Sequence, residues 1–327
     1  MTEKVASTRS RDLSTLRTPE TPQVEQTILR LTLPATSANL GPGFDALGLA
    51  LSLYLHLEAR LAKVFSLTAT GRDAHVTGQV EGNLILATYR EVLEAHQRTV
   101  PNLAIALDNE IPLGMGCGSS AAALCAGILL ANHFGGLGWP RSEILDEAAR
   151  REGHPDNVAA CLLGGLTISK AAMSVDSDVS RKTSALSLGV GLPWRLLLAL
   201  PHAGLPTVNA RQLLPETYSR YDTVRNVQST ALLVGAFALN RPDLLRDATE
   251  DRLHQPYRMK VCALLAALLP LAGRNGVHSV TLSGAGPSVL LIVEADVPVD
   301  LVKAAAGPLV SEVLELSIAS GARSLIK

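Results

Sequence analysis

The chain has 327 residues, and its 29 Lys and Arg residues nearly balance its 30 Asp and Glu residues, which leaves a formal net charge of -1. With no charge excess to attract nucleic acid or anionic lipid, this composition favours a small-molecule partner. The four scattered cysteines lack metal-ligand spacing, the apolar runs fall short of the roughly 20 residues of a membrane span, and no signal-peptide core follows Met1, so we expect a cytoplasmic protein.

The first 26 residues are polar, rich in Ser, Thr and Arg, and without apolar periodicity, so we predict a mobile tail over residues 1–26. A transit peptide is the alternative, but Glu3, Asp12 and Glu20 break the acid-poor rule for such peptides. At about 150 residues per domain the remaining length predicts two domains, which we place at residues 27–185 and 186–327.

In the first domain the alternating run Ile28 to Leu33 predicts a strand, and a second strand follows in which alternate leucines from Leu49 to Leu57 share one face. Capping residues and apolar spacing predict helices over residues 84–96, 119–133 and 141–152, the last one ended by Gly153. Residues 171–188 are rich in Ser and Asp and are interpreted as a loop between the domains.

In the second domain the pattern predicts strands, a long helix and shorter helices, which together with the first domain gives an α+β fold. The strands are expected at residues 194–200, 278–282 and 289–293, and the helices at residues 221–239, 243–249 and 258–268, before a final helix and strand.

A glycine-rich loop precedes the second predicted helix. Residues 112–122 read Pro-Leu-Gly-Met-Gly-Cys-Gly-Ser-Ser-Ala-Ala, and glycines that turn backbone amides inward at the start of a helix form a binding site for phosphate. A glycine-rich turn capped by Ser119 or Ser120 is the alternative interpretation. The loop contains no lysine and is not a Walker P-loop.

Two further segments have a similar composition. Residues 34–45, Pro-Ala-Thr-Ser-Ala-Asn-Leu-Gly-Pro-Gly-Phe-Asp, form either a turn between strands or a loop in which Asn39 and Asp45 bind a hydroxyl or ammonium group. Residues 281–288, Thr-Leu-Ser-Gly-Ala-Gly-Pro-Ser, allow either another close backbone approach or a hairpin turn.

In this order and spacing the three segments resemble the signature motifs of the GHMP kinases, from about Thr27 onward. Within that superfamily the chain is similar to the homoserine kinases at Glu-Gly-His-Pro-Asp-Asn-Val-Ala-Ala (residues 152–160), Asn-Ala-Arg (209–211) and Asp-Arg-Leu-His-Gln-Pro-Tyr-Arg (251–258). The resemblance implies a first domain like ribosomal S5 domain 2, a ferredoxin-like second domain, and ATP-dependent, Mg²⁺-dependent phosphorylation of the side-chain hydroxyl of L-homoserine to O-phospho-L-homoserine, a step of threonine biosynthesis.

The resemblance also implies which residues bind ATP and Mg²⁺. The phosphate-binding positions are Pro112, Gly114, Gly116, Cys117, Gly118, Ser119, Ser120 and Ala121. Asn83 matches a position near the nucleotide base, although a helix N-cap explains it equally well.

For the metal ion the resemblance implies the Ser120 hydroxyl and a carboxylate. Homoserine kinases commonly carry a glutamate four residues before the motif histidine, where this chain has Arg150, which cannot ligate Mg²⁺. We therefore expect Glu152 to be the metal carboxylate, with Glu147 and Asp146 as the other acids nearby and ordinary helix-surface charges as the alternative.

The implied acceptor site has a group for each part of an amino alcohol. Arg211 and Arg252 match the clamp for the α-carboxylate, and Asp45 suits the ammonium group unless it is only a loop cap. The other implied contacts, around the hydroxyl, the amino group and the carboxylate, are Asn39, His154, Asn157, Ser283, Gly284 and Gly286. Asn157 would hold the hydroxyl, and Asp156 matches an aspartate that serves some relatives as a base.

Two other functions compete with this one. The Arg150 departure, and Cys117 in place of the usual leucine, leave room for a GHMP kinase that acts on another small alcohol or hydroxy amino acid. A ligand-binding relative that has lost metal ligation and activity is the second alternative. The family is often dimeric, which leaves a homodimer open.

Overall fold

The structure is a computed structural model that describes residues 27–172, 182–203 and 211–326. The predicted tail of residues 1–26, and Asn209 and Ala210 of the Asn-Ala-Arg segment, lie outside these ranges. The described residues form one sheet of seven strands and one of four, with helices packed against both. This arrangement confirms the predicted α+β class.

The strands are β1 Leu29–Ala38, β2 Leu47–Leu61, β3 Ser66–Gly71, β4 Leu103–Asn109, β5 Leu166–Lys170, β6 Ser184–Leu188, β7 Arg195–Leu200, β8 Val277–Leu282, β9 Val289–Val293, β10 Glu312–Leu316 and β11 Arg323–Ile326. The first sheet has the order β11-β1-β2-β4-β3, with β5 paired to β2 and β6 paired to β5. The second sheet has the order β10-β7-β9-β8. The last described strand thus returns to pair with β1.

The helices are α1 Ala74–Thr77, α2 Leu84–Ala95, α3 Ser119–Phe134, α4 Arg141–Glu152, α5 Asp156–Leu163, α6 Arg220–Ala238, α7 Leu245–Ala248, α8 Gln255–Arg258, α9 Ala263–Leu268 and α10 Val299–Ala306. As predicted, Gly153 ends α4 in a left-handed conformation, with φ of 85°. Short 3₁₀ turns cover Pro242–Leu244, Leu269–Leu271 and Gly307–Leu309.

Three predicted boundaries were wrong. Strand β1 does not end at Leu33 but runs through Ala38, because a register shift against β2 between Pro34 and Ala35 accommodates the proline. The expected loop over residues 171–188 contains β6, which pairs along its whole length with β5. Of the expected helix over residues 258–268, only α9 and the last residue of α8 are helical, because residues 259–262 form a turn that separates α9 from α8.

The leucines of β2 that were predicted to share one face are all buried, from Leu49 to Leu57, and they form the main core with α2 and α3. Helix α3 is apolar on nearly all sides and packs against α2, α4, α5 and β1. This central position fixes the start of α3 beside the ends of α4 and β1, where the candidate site lies. No helix among the described residues is long and apolar enough to cross a membrane.

Candidate active site

The glycine-rich loop before α3 presents a row of backbone amides. Gly114, Gly116 and Gly118 have φ of 69°, 73° and 68°, and Gly118 occupies the N-cap without any side-chain capping bond. Within the described ranges, the structure records no hydrogen-bond acceptor for the backbone amides of residues 114–121. Together with the positive end of the helix dipole, these amides suit an anion such as phosphate.

Two distant segments hold this loop in place. A Cβ on Gly116 would lie 2.3 Å from the Ser283 carbonyl oxygen, and the Ser283 hydroxyl donates to the Gly116 carbonyl at 2.7 Å. On the other side, a Cβ on Gly118 would lie 1.9 Å from Oγ1 of Thr36. The three predicted glycine-rich segments therefore meet at one point.

Pro112, Cys117 and Ala121 are buried beneath the loop. Burial raises the pKa of the Cys117 thiol to about 12, so this side chain packs as a neutral group. Any contact of these three residues with a nucleotide would therefore be through the backbone.

Replacing Gly118 with alanine is expected to destabilise the protein by about 2 to 4 kcal/mol. This is the sum of the cost of a left-handed backbone at alanine and the cost of the steric overlap with Thr36. Gly138→Ala is the matched control, since Gly138 has the same kind of φ, 69°, but nothing within 4 Å of the new methyl group. It should cost only about 1 kcal/mol. Denaturant unfolding measures both costs, and equal values for the two variants would contradict the close packing of Gly118 on Thr36.

A cavity of about 300 Å³ opens beside the loop. Apolar side chains from β2, β4, α1 and α2 line it, together with Asn83, Ser119 and Ala123. The side-chain oxygen Oδ1 of Asn83 accepts from the amides of Ile85 and Leu86 and so caps α2, while Asn83 Nδ2 donates to the Thr77 carbonyl at 2.9 Å. Asn83 is thus an N-cap that also forms part of the wall of a cavity large enough for a planar base.

A hydroxyl and a carboxylate meet at the first turn of α3. Ser120 Oγ donates to Glu152 Oε1 at 3.0 Å, across the gap between the start of α3 and the end of α4. Oxygen ligands of these two kinds are those that Mg²⁺ prefers, so the pair fits a metal ion bound to phosphate. Arg150 lies apart from this pair, because it forms two bonds to Glu147 and 65% of its side chain is exposed.

The start of α5 brings three predicted site residues together. His154 Nδ1 lies 2.8 Å from Asp156 Oδ1, which also accepts from the Asn157 backbone amide at 2.7 Å. The hydrogen bond to the Asp156 carboxylate raises the pKa of His154, although partial burial opposes this shift. Thr36 donates from its hydroxyl to Asn157 Oδ1 at 2.7 Å, which joins this group to the end of β1.

An ion pair faces the same region. Arg211 binds both carboxylate oxygens of Asp45, at 2.6 and 3.0 Å, and its guanidinium lies 5.4 Å from the Phe44 ring centre. One ligand atom each of Asp45, His154 and Asp156 all lie within 4.8 Å of one another. The cluster therefore places a guanidinium beside two carboxylates and an imidazole.

A second arginine, at the end of α8, also lies against Phe44. Arg258 lies 5.5 Å from the ring centre, and its Nη1 is 3.2 Å from His254 Nδ1. His254 is fully buried, and its Nε2 lies 2.8 Å from the Gly41 carbonyl, to which it must donate. Nδ1 is then the acceptor that orients the Arg258 guanidinium. Burial lowers the pKa of Arg258, and the neighbouring Arg211 lowers it further.

Arg252, the second predicted carboxylate ligand, is placed differently. Its guanidinium pairs with Glu250, which also binds Arg225 at 2.9 Å. In the described part of the chain no hydrogen bond joins the Arg252 side chain to Asp45, His154 or Asn157. Arg258, six residues further along the same family motif, is instead the arginine next to Arg211.

Four predicted substrate-binding residues make internal contacts. The amides of Ser283, Gly284 and Gly286 donate to the carbonyls of Ser288, Ala38 and Ser283 respectively. Asn39 accepts from the Asp45 amide at 3.0 Å and donates to the Gly284 carbonyl at 3.0 Å. These contacts hold Asp45 and the glycine-rich loop in position.

Sequence reasoning did not assign roles to Thr36, Phe44, His254 and Arg258, which the structure places at the site. All four lie inside the quoted motifs, and this location is the only feature of the sequence that could have indicated a role at the site. Their contacts span more than 100 residues, and residue type alone could not indicate them.

Comparison with known proteins gives a consistent result. Residues 83–165 match the family model for the GHMP kinases N terminal domain, and residues 233–308 match that for the GHMP kinases C terminal region. A homoserine kinase from Solibacter usitatus is 47% identical over 264 residues, which cover 81% of this chain and 84% of that protein. A homoserine kinase from a Synechococcus species is 37% identical over 270 residues, which cover 82% and 86%. The crystal structure of homoserine kinase from Cytophaga hutchinsonii has a TM-score of 0.73 at 24% identity, covers 91% of this chain and 97% of that one, and has the same fold.

Proposed function

Because the chain belongs to the homoserine kinase family of the GHMP kinases, we propose that it transfers the γ-phosphoryl group of ATP to the side-chain hydroxyl of L-homoserine, giving O-phospho-L-homoserine. The observation that carries this proposal is the Thr36 bridge. Thr36 joins the phosphate loop, through the Cys117 carbonyl, to the Asp156 and Asn157 cluster, so an anion site and an amino-alcohol site lie side by side.

The nucleotide occupies the loop and the neighbouring cavity. The backbone amides of residues 114–121 bind the phosphates, and the apolar cavity beside Asn83 and Ser119 accepts the adenine. Ser119 stands between the two and contacts phosphate through its amide or hydroxyl. The arrangement replaces the lysine of a Walker loop by amide dipoles.

Ser120 and Glu152 are the residues that would hold Mg²⁺, since their oxygens already lie 3.0 Å apart beside the phosphate loop. The ion would offset the charge of the triphosphate that amide dipoles alone leave uncompensated. The hydrogen bond between these two side chains keeps the carboxylate beside the loop.

A zwitterionic amino acid complements the groups around Asp45. The fork of Arg211, with Arg258 beside it, suits the α-carboxylate, because guanidinium groups bind carboxylates with two parallel hydrogen bonds. Asp45 and the His154 imidazole face the ammonium group. Arg211 and Asp45 bind each other in the structure. A bound amino acid would replace this ion pair, with its carboxylate at Arg211 and its ammonium group at Asp45.

The side-chain hydroxyl then lies at Asn157. The Asn157 amide binds the hydroxyl oxygen, and catalysis rests on placing that oxygen in line with the γ-phosphorus. Asp156 Oδ1 is engaged by His154 and by the Asn157 amide. Oδ2 is therefore the oxygen that we assign to accept the hydroxyl proton.

A coupled assay of ADP release with Mg²⁺ and ATP tests the function. Homoserine, mevalonate, galactose and shikimate are compared, and homoserine is expected to be the preferred acceptor by at least tenfold in kcat/KM, about the effect of losing one hydrogen bond to a charged group. A higher kcat/KM with one of the other alcohols would identify that alcohol as the substrate instead of homoserine. ATP binding without any turnover would favour a non-catalytic relative.

A further inference from the structure

The hydroxyl of Thr36 lies between the two halves of the site. The side chain is completely buried at the end of β1, where it donates to Asn157 Oδ1 at 2.7 Å. We propose that Thr36 is a positioning residue that holds the Asn157 amide so that its nitrogen faces the acceptor hydroxyl. This inference rests on the proposed function and adds a residue to it.

The neighbours of Asn157 fix which way its amide points. Asp156 Oδ1 accepts from the Asn157 backbone amide at 2.7 Å and lies 3.5 Å from Asn157 Nδ2. A carboxylate only accepts hydrogen bonds, so the amide nitrogen must lie on its side and the amide oxygen on the side of Thr36. The Thr36 hydroxyl must then be the donor, because an amide oxygen cannot donate.

Without that donor the Asn157 amide would be held in this orientation by Asp156 alone, through a contact of 3.5 Å. A half-turn about the last side-chain bond would place the amide oxygen against the Asp156 carboxylate, which repels it, but Thr36 adds an attractive contact in the correct orientation. The amide nitrogen keeps one hydrogen for Asp156 and one for an acceptor oxygen. That second hydrogen is the one the substrate hydroxyl needs.

Thr36 is itself held by the phosphate loop. Its backbone amide donates to the Cys117 carbonyl at 3.0 Å, and its hydroxyl occupies the space that a Cβ on Gly118 would take. The position of Asn157 is therefore set relative to the loop that binds the terminal phosphates. A residue in this place controls the distance between donor and acceptor without touching either substrate.

The test compares three variants with the wild type. Thr36→Val keeps the shape but removes the donor, Thr36→Ser keeps the donor, and Ser37→Ala is the control. Ser37 is the adjacent residue, and its hydroxyl is equally buried but has no hydrogen-bond partner among the described residues. Steady-state kinetics with homoserine should show a kcat about 10- to 100-fold lower for Thr36→Val, with KM for ATP little changed. Thr36→Ser should recover most of kcat, and Ser37→Ala should match the wild type.

A double-mutant cycle separates positioning from a general structural effect. In an Asn157→Ala background there is no amide to orient, so Thr36→Val should lower kcat no further. An equal loss in both backgrounds, or a wild-type kcat for Thr36→Val, would overturn the proposal. Thr36→Ala gives the same comparison if the valine variant does not fold. A wild-type enzyme that fails to phosphorylate homoserine would instead refute the proposed function, and the wild-type arm reports this directly.

Discussion

Replacing Glu152 with glutamine is expected to lower kcat by about a hundredfold to a thousandfold, which corresponds to roughly 3 to 4 kcal/mol of transition-state stabilisation. Glutamine can still accept a hydrogen bond from Ser120, so the loop and α3 should keep their places. It brings no negative charge, however, and a neutral amide is a much poorer partner for Mg²⁺ than a carboxylate.

The measurement is a Mg²⁺ titration at saturating ATP and homoserine. For Glu152→Gln the Mg²⁺ concentration that gives half-maximal activity should rise, and kcat should fall. Glu147→Gln is the matched control, because Glu147 lies on the same helix but binds Arg150 and Arg151 instead of Ser120. Its Mg²⁺ dependence should stay that of the wild type. A normal Mg²⁺ dependence for Glu152→Gln would remove this residue from the metal site.

The second large effect is expected at Arg258, where lysine should raise KM for homoserine about thirtyfold and change KM for ATP little. Lysine keeps the charge but loses the planar fork, and a charge-assisted hydrogen bond of this kind is worth about 2 kcal/mol. Burial of the Arg258 side chain, its position against the Phe44 ring and its contact with His254 make the guanidinium geometry specific.

Arg252→Lys provides the comparison, since both arginines lie in the same motif and Arg252 was the one predicted from the resemblance. Its guanidinium binds Glu250, so we expect its KM for homoserine to remain near the wild-type value. A raised KM for Arg252→Lys with a normal KM for Arg258→Lys would support the sequence prediction that Arg252 binds the carboxylate. Unfolding curves for both variants separate binding from stability.

These two arginines illustrate what the sequence could and could not indicate. The motif containing both was visible, but which side chain turns inward depends on the short helix α8 and on the His254 contact with Gly41. Residue type and spacing carry no signal for that choice. The same applies to Thr36, because the polar run after Leu33 resembles a loop while its hydrogen bonds continue the strand.

The sequence was more informative about features that depend only on residues close together in the chain. The left-handed glycines of the phosphate loop, the cap at Gly153 and the alternating leucines of β2 each follow from neighbouring residues, and the structure shows them as predicted. Contacts such as Asn39 with Gly284 join residues 245 positions apart. A single sequence contains no information on such a pairing beyond the presence of two polar or flexible residues.

The interlocking of the three glycine-rich segments has a consequence for how the protein can be divided. A fragment that ends before β8 would contain every residue of the phosphate loop but would lack Ser283 and Gly286, whose backbone confines Gly116. The loop of the fragment would sample many conformations, so nucleotide binding would have to order it at a cost in conformational entropy. In the intact chain, folding has already ordered the loop. We therefore expect such a fragment to bind ATP more weakly than the intact chain does.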